Sequence, residues 1–179
     1  MRADGDTKRD HQVSRDTITR SLVSDLEHYR VQLEEVNQAI EMLMPEFDCI
    51  LMTMPGIDLI TAANMLSEIG NISRFSSAAK LAKFAGIAPV NFSSAGKGKD
   101  MCPKQGNRRL QAIFYFLAIQ MIQVSINGTP RNPVFREYYL RKLEDGKNKQ
   151  QALICIARRL VNIVYGMLKN HTEYREPGQ

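Results

Sequence analysis

Met52-Thr-Met-Pro-Gly-Ile-Asp-Leu-Ile-Thr-Ala-Ala-Asn-Met-Leu-Ser-Glu-Ile-Gly70 joins two helical patterns. Pro55 cannot continue a preceding helix and fixes φ for a turn, while Gly56 can take the positive φ that a tight reversal needs. Ile57 is apolar inside that turn and is expected to tuck beneath it. Asp58 is a good N-cap, and Ile60, Ala63, Met65, Leu66 and Ile69 follow at roughly helical spacing. A Pro-Gly-Ile turn opening onto a helix N-terminus has the form of a helix-hairpin-helix element. In that reading the free amides near Gly56 and Ile57 take a DNA phosphate. An ordinary helical corner with no ligand accounts for the same residues. Loops of this kind that grip phosphate usually carry a second glycine where Asp58 stands, and a carboxylate there repels phosphate unless it caps its own helix.

Working towards the N-terminus, Leu22, Leu26, Tyr29, Leu33, Val36, Ile40 and Leu43 recur at alternating spacings of 4 and 3. That regularity predicts a coiled-coil-type helix over residues 17–50 with an a/d seam, suited to homo-oligomerisation or to a hairpin within the chain. Phe47 and Ile50 continue the spacing past Pro45, which should kink the helix or end its first segment. Residues 1–16 are polar, carry charges of both signs and are expected to form a disordered tail. Their aspartates, Asp4, Asp6, Asp10 and Asp16, have no scaffold to fix them as metal ligands, and no metal is expected in this chain.

Working towards the C-terminus, Gly70-Asn71 ends one helix and Ser76 or Ser77 can cap the next, which stops at Gly86. Residues 87–106 form a long connection rich in Gly, Ser and Lys, and connections of that length are usually functional or mobile. Gly106 or Asn107 opens a long helix with Leu110, Ile113, Phe114, Leu117 and Met121 on its apolar side. A short amphipathic helix follows, with Val134, Tyr138 and Leu143, ending at Asp145-Gly146. The last helix runs from about Lys149 to Asn170 on a stripe of Ala152, Ile156, Leu160, Ile163 and Met167. Residues 172–179 read as a frayed tail. No stretch alternates like a strand, so the expected class is all-α: a long helix over 17–50, then a compact helical domain over 51–171.

The 179 residues carry a formal charge of +5 with a pI near 9.2, which permits a nucleic-acid partner without requiring one. Distribution is more informative. Lys97, Lys99, Lys104, Arg108 and Arg109 fall close together against the single carboxylate of Asp100. Such a cluster can neutralise several phosphates, although a solvated basic face looks the same in sequence. Ser93 and Ser94 share the loop with Gly96 and Gly98, but a serine hydroxyl is a weak nucleophile without a base, metal or strong positive charge beside it. Cys49, Cys102 and Cys155 are isolated, which fits a reducing, cytoplasmic compartment and not a zinc site or disulfide framework. The polar start lacks a secretory pattern, and residues 110–126, the most apolar stretch, read as a buried helix and not a membrane span.

Taken together, Pro55-Gly-Ile, Glu68-Ile-Gly-Asn-Ile, Arg74-Phe, Leu81-Ala-Lys-Phe-Ala-Gly-Ile-Ala-Pro, Ser94-Ala-Gly-Lys and Lys104-Gln-Gly-Asn-Arg-Arg-Leu occur in an order that resembles a known family. It is the carboxy-terminal domain of the DEDD-type insertion-sequence transposases, the bridge-RNA-guided recombinases of bacterial mobile elements. The resemblance covers about residues 50–170, and the heptad helix matches the coiled-coil segment before that domain. It implies DNA and a structured guide RNA as partners, a nucleoid-associated location and a serine that attacks a DNA phosphodiester. The family pattern places that serine at Ser94, with Ser93 as the alternative; Ala95 stands where the family usually has Gly. It also implies magnesium, held by four acidic residues of a RuvC-like domain that has no counterpart in this sequence. The chain is therefore expected to be catalytically incomplete alone. The alternative is a non-catalytic DNA-binding and oligomerising remnant or regulator of transposition.

Overall fold

The computed structural model describes residues 11–47, 49–88, 90–92, 99–101 and 105–176. Two compact units divide the chain, Met1–Glu46 and Phe47–Gln179. Among its described residues the first consists of one α-helix, α1 (Gln12–Leu43), 32 residues long, and the start of a 3-10 turn. The helix begins ahead of the expected Thr17, so the last part of the polar tail is helical. Local pairing explains this: Gln12 Nε2 donates to Asp16 Oδ1 at 2.9 Å, one turn along the helix. Residues 1–10 lie outside the described residues. The helix ends at Leu43, and Met44–Phe47 and Ile50–Thr53 are 3-10 turns, so residues 17–50 are not one continuous helix. Pro45 supplies the reason: it has no N–H to continue the i→i−4 ladder, although Met44 before it keeps helical backbone at φ −59° and ψ −34°. No residue of α1 is buried, and the seam positions Leu22 and Leu33 are 59% and 63% exposed.

The second unit is built around its last helix. In chain order it contains α2 (Leu59–Ile69), α3 (Ala78–Phe84), strands β1 (Val90–Phe92) and β2 (Lys99–Met101), α4 (Arg108–Ile122), α5 (Pro133–Glu144) and α6 (Lys149–Asn170). α6 packs on α3, α4 and α5 and on the 3-10 turns Ile50–Thr53 and Ile72–Arg74. Its buried face is Ala152, Leu153, Ile156, Ala157, Leu160, Val161, Val164 and Met167. Each fully buried leucine or isoleucine in such a face is worth about 1.5–3 kcal/mol. A capping box starts the helix: Asn148 Oδ1 accepts from the Gln151 amide at 2.9 Å, and Gln151 Oε1 accepts from the Asn148 amide at 3.0 Å. By length and composition alone α6 could cross a membrane. Its apolar face, however, is the inside of this domain. α4, with 15 residues, is shorter than a span requires.

The fold is all-α, as expected, with one addition. β1 and β2 pair antiparallel, with Val90 opposite Met101, Asn91 opposite Asp100 and Phe92 opposite Lys99. Strands of three residues are too short to show alternation in sequence. α5 differs in its buried face, which is Phe135 and Tyr139 and not Val134, Tyr138 and Leu143. Asn132 caps that helix through the Phe135 amide and sets its rotation. The C-terminal segment is not frayed at Tyr174: its amide donates to Thr53 Oγ1 at 2.9 Å, and its hydroxyl is enclosed beside Asn132, with burial raising its pKa.

Candidate nucleic-acid interface at the base of the hairpin

The Pro-Gly turn forms as its residues require. Gly56 has φ 92°, Ile57 is buried, and the Ile57 amide closes the turn on the Met54 carbonyl at 3.1 Å. Its leading arm is the 3-10 turn Ile50–Thr53 and not an α-helix. A Cβ at position 56 would stand 2.5 Å from Gln120 Oε1 and 3.6 Å from Leu117 Cδ2, so the turn lies directly on α4. Asp58 Oδ1 accepts from the Thr61 amide at 2.7 Å. Hydrogen bonds from the Thr61 hydroxyl and amide hold its carboxyl below the ordinary value of 3.8. The carboxylate is thus engaged as the α2 cap, and Gly56 and Ile57 pack inwards.

A second constellation lies where α3 ends and α4 begins. Gly86, with φ 68°, faces Gly106, where an added Cβ would stand 2.5 Å from the Gly86 Cα. No side chain fits between the two backbones, which explains the glycine at both ends of the connection. The Asn107 amide donates to the Phe84 carbonyl at 2.7 Å, and Gln111 Nε2 donates to the Gly86 carbonyl at 2.8 Å. These bonds clamp the ends of the segment that contains β1 and β2.

The same clamp gathers charge. Asn107 caps α4 by accepting from the Leu110 amide at 3.0 Å, and its Nδ2 donates to Glu68 Oε2 at 2.6 Å. Arg109 Nη1 reaches Glu68 Oε1 at 3.1 Å while its side chain stays largely exposed. The Asn107 hydrogen bond first, and then the Arg109 guanidinium, hold the Glu68 carboxyl below its ordinary 4.5. Arg108 Nη1 donates to Gln111 Oε1 at 2.8 Å. Glu68 therefore adds a carboxylate to a cluster that looked more purely basic in sequence. Arg74 lies over the rings of Phe75 and Phe84 at 4.7 and 4.6 Å, adding an exposed guanidinium attached to the residue whose carbonyl receives Asn107.

Of the residues singled out in sequence, Arg108 and Arg109 come together at the start of α4, and Lys99 lies on β2 opposite Phe92. Ser93, Ser94, Lys97 and Lys104 lie outside the described residues. Gly56 and Ile57 sit on another part of α4, near Leu117 and Met121. Sequence inspection gave Asn107 the opening of the long helix, which it caps, but not its bond to Glu68, and it assigned no role to Glu68 or Arg74 beyond their presence in the ordered motifs. Among the described residues no group of three or more His, Cys, Asp or Glu could hold a metal ion.

A profile of the transposase IS116/IS110/IS902 family matches residues 48–140, just over half of the 179 residues. This chain belongs to that family. The match spans the Pro-Gly turn, both ends of the hairpin clamp and most of α5. The chain is 31% identical over 162 residues to the 43.6 kDa protein of insertion element IS110 from Streptomyces coelicolor, covering 89% of this chain and 38% of the relative. It is 37% identical over 127 residues to the 42 kDa protein of insertion element IS900 from Mycobacterium paratuberculosis, covering 70% and 30%. It is also 27% identical over 158 residues to the pilin gene-inverting protein of Moraxella bovis, covering 84% and 47%. The chain thus spans less than half the length of each of these relatives.

Proposed function

We propose that this chain is the helical, DNA-handling part of a transposase, and that the segment between β1 and β2 carries the nucleophile. The hairpin clamp is the observation that supports this most directly. Gly86 against Gly106, with Asn107 bonded to Phe84, anchors next to Arg108 and Arg109 the two ends of the segment whose sequence includes Ser93 and Ser94. Exposed cations at the start of a helix suit a phosphate backbone, and binding through them weakens with salt. Ser94 is the nucleophile in this reading, on the family pattern, with Ser93 as the alternative. Its Oγ forms the new bond to phosphorus, an ester bond to the deoxyribose breaks, and the departing oxygen takes up a proton. Lys97, Lys99, Lys104, Arg108 and Arg109 stabilise charge on the phosphate. Magnesium belongs to a RuvC-like domain in this reading, and a structured RNA guides the choice of site. The exposed seam of α1 brings copies together, and the DNA substrate implies the cytoplasm, at the nucleoid.

The test is a covalent adduct on a denaturing gel. The chain with DNA and magnesium alone should give none. Addition of a RuvC-like domain and guide RNA from a related element should yield one that Ser94→Ala abolishes and Ser93→Ala spares. An adduct that survives Ser94→Ala overturns the choice of serine; one formed by the chain alone overturns the dependence on a second domain. A non-catalytic regulator that enters mixed assemblies with longer relatives is the second reading, favoured by the same uncovered α1 seam. That regulator forms no adduct under any of these conditions, yet it lowers the activity of a full-length relative mixed with it.

A further inference from the structure

α5 and α6 pack together on either side of the turn at residues 145–148, and they bring cations far apart in sequence onto one aromatic ring. The Arg159 guanidinium lies 4.2 Å from the Tyr138 centroid, Arg141 lies at 5.2 Å and Lys142 Nζ at 5.4 Å. Lys142 is paired with Asp145 at 2.6 Å. Arg158 adjoins Arg159 in sequence, Lys147 lies within the turn and Lys149 follows it. The carboxylates between Arg141 and Arg159 are Glu144 and Asp145 alone. Like charges gathered this closely repel one another, and the π face of one tyrosine only partly offsets the repulsion.

We infer that Tyr138, Arg141 and Arg159 form a second nucleic-acid surface, which holds the sugar-phosphate backbone of a duplex without reading its sequence. The ring argues for backbone and against base recognition. Arg159 already covers a face of Tyr138, which makes that face unavailable to a stacked base. A guanidinium lying on a ring still presents N–H groups at its edge, in the fork that matches two phosphate oxygens. Lys142, held by Asp145, supplies a weaker point charge beside them. The surface stands apart from the hairpin clamp: none of its cations takes part in the Glu68, Asn107 and Arg109 contacts, and all of them follow residue 140, where the family match ends. Either surface can therefore fail without the other.

The test uses the full chain, with fluorescence anisotropy on a short duplex DNA and on the duplex RNA of the same sequence across a salt series. Arg141→Ala with Arg159→Ala should weaken binding tenfold or more at low salt and make the log–log salt slope shallower by about two, one unit per lost phosphate contact. Arg141→Lys with Arg159→Lys should keep most of the slope while losing part of the affinity. Both sites are exposed, so circular dichroism should match the wild type. Loss on DNA alone, on RNA alone or on both supports the surface and names the duplex it holds. Unchanged affinity and slope on both duplexes overturn it, as does an equal loss of binding to polyglutamate, which would mark the patch as a site for acidic protein. Arg108→Ala with Arg109→Ala, measured in parallel, tests the hairpin clamp separately. If that variant removes all binding while the α5–α6 variant removes none, the inference fails and the clamp stands.

Discussion

α1 and α6 carry the same kind of sequence signal and meet opposite fates. Both show apolar residues at helical spacing over about four turns or more. In α6, Ile156 and Leu160 are 0% exposed; in α1, Leu22 and Leu33 are 59% and 63% exposed. Periodicity establishes that a helix has an apolar face but says nothing about where the covering surface comes from. α6 finds it in α3, α4 and α5 of its own unit. No residue of α1 is buried, so nothing within that helix covers its seam. The two helices also start differently: Asn148 gives α6 a complete capping box, whereas His11, in the left-handed region at φ 65°, gives α1 no side-chain cap bond.

The sharpest way to break this contrast is to truncate one leucine in each helix. Leu160→Ala should cost about 2–5 kcal/mol in urea unfolding, by lost transfer energy and the cavity left behind. Leu33→Ala, at a concentration where the chain is monomeric, should stay within about 0.5 kcal/mol of wild type. Equal losses would show that the α1 seam is buried in the monomer. A charge in the seam sharpens the same point: Leu33→Glu should shift sedimentation to a smaller species, and a wild type that is monomeric at tens of micromolar would remove the role given to α1.

Helix starts give a smaller effect. Asn148→Ala should cost about 0.5–2 kcal/mol, because the Gln151 amide loses its side-chain acceptor while the bond from the residue-148 amide to Gln151 Oε1 can remain. His11→Ala should stay within about 0.5 kcal/mol, and a larger loss would reveal an N-terminal anchor on α1. The smallest effect is on acid stability. Asp58 and Glu68 have folded-state pKa values lowered from 3.8 and 4.5, so ionisation of both favours the folded domain. That contribution is complete above the unfolded values and disappears as pH falls from about 5 through the lowered ones. Glu68→Gln should therefore flatten the dependence of the thermal midpoint on pH below about 5. An unchanged curve would mean that Asn107 and Arg109 do not hold this carboxylate in solution.

Much of the second unit was legible because its signals are local. Asp58 caps α2 from the neighbouring turn, Gly56 takes the positive φ its position demands, and α6 runs over Lys149–Asn170 as its stripe and flanking residues indicate. The rotation of α5 was less legible: Val134 and Tyr138 are as apolar or aromatic as Phe135 and Tyr139, and the Asn132 cap and the packing against α6 selected the second pair. The candidate site was legible only as an inventory. The motif residues Glu68, Arg74, Gly86, Gly106, Asn107 and Arg109 were all visible, but not that Glu68 would accept from both Asn107 and Arg109 or that Gly86 would face Gly106.

By itself, then, the sequence determined the helical class, most of the boundaries and the resemblance to a transposase. Helix propensity, capping and turn chemistry act over the few residues that one turn spans. Only the tertiary structure decided which face of α5 is buried, which carboxylate restrains Arg109, and that Arg141 and Arg159 meet over Tyr138. Those pairings join residues on different helices. No local rule relates them, because the distance between two side chains on separate helices is set by how the helices pack and not by their separation along the chain.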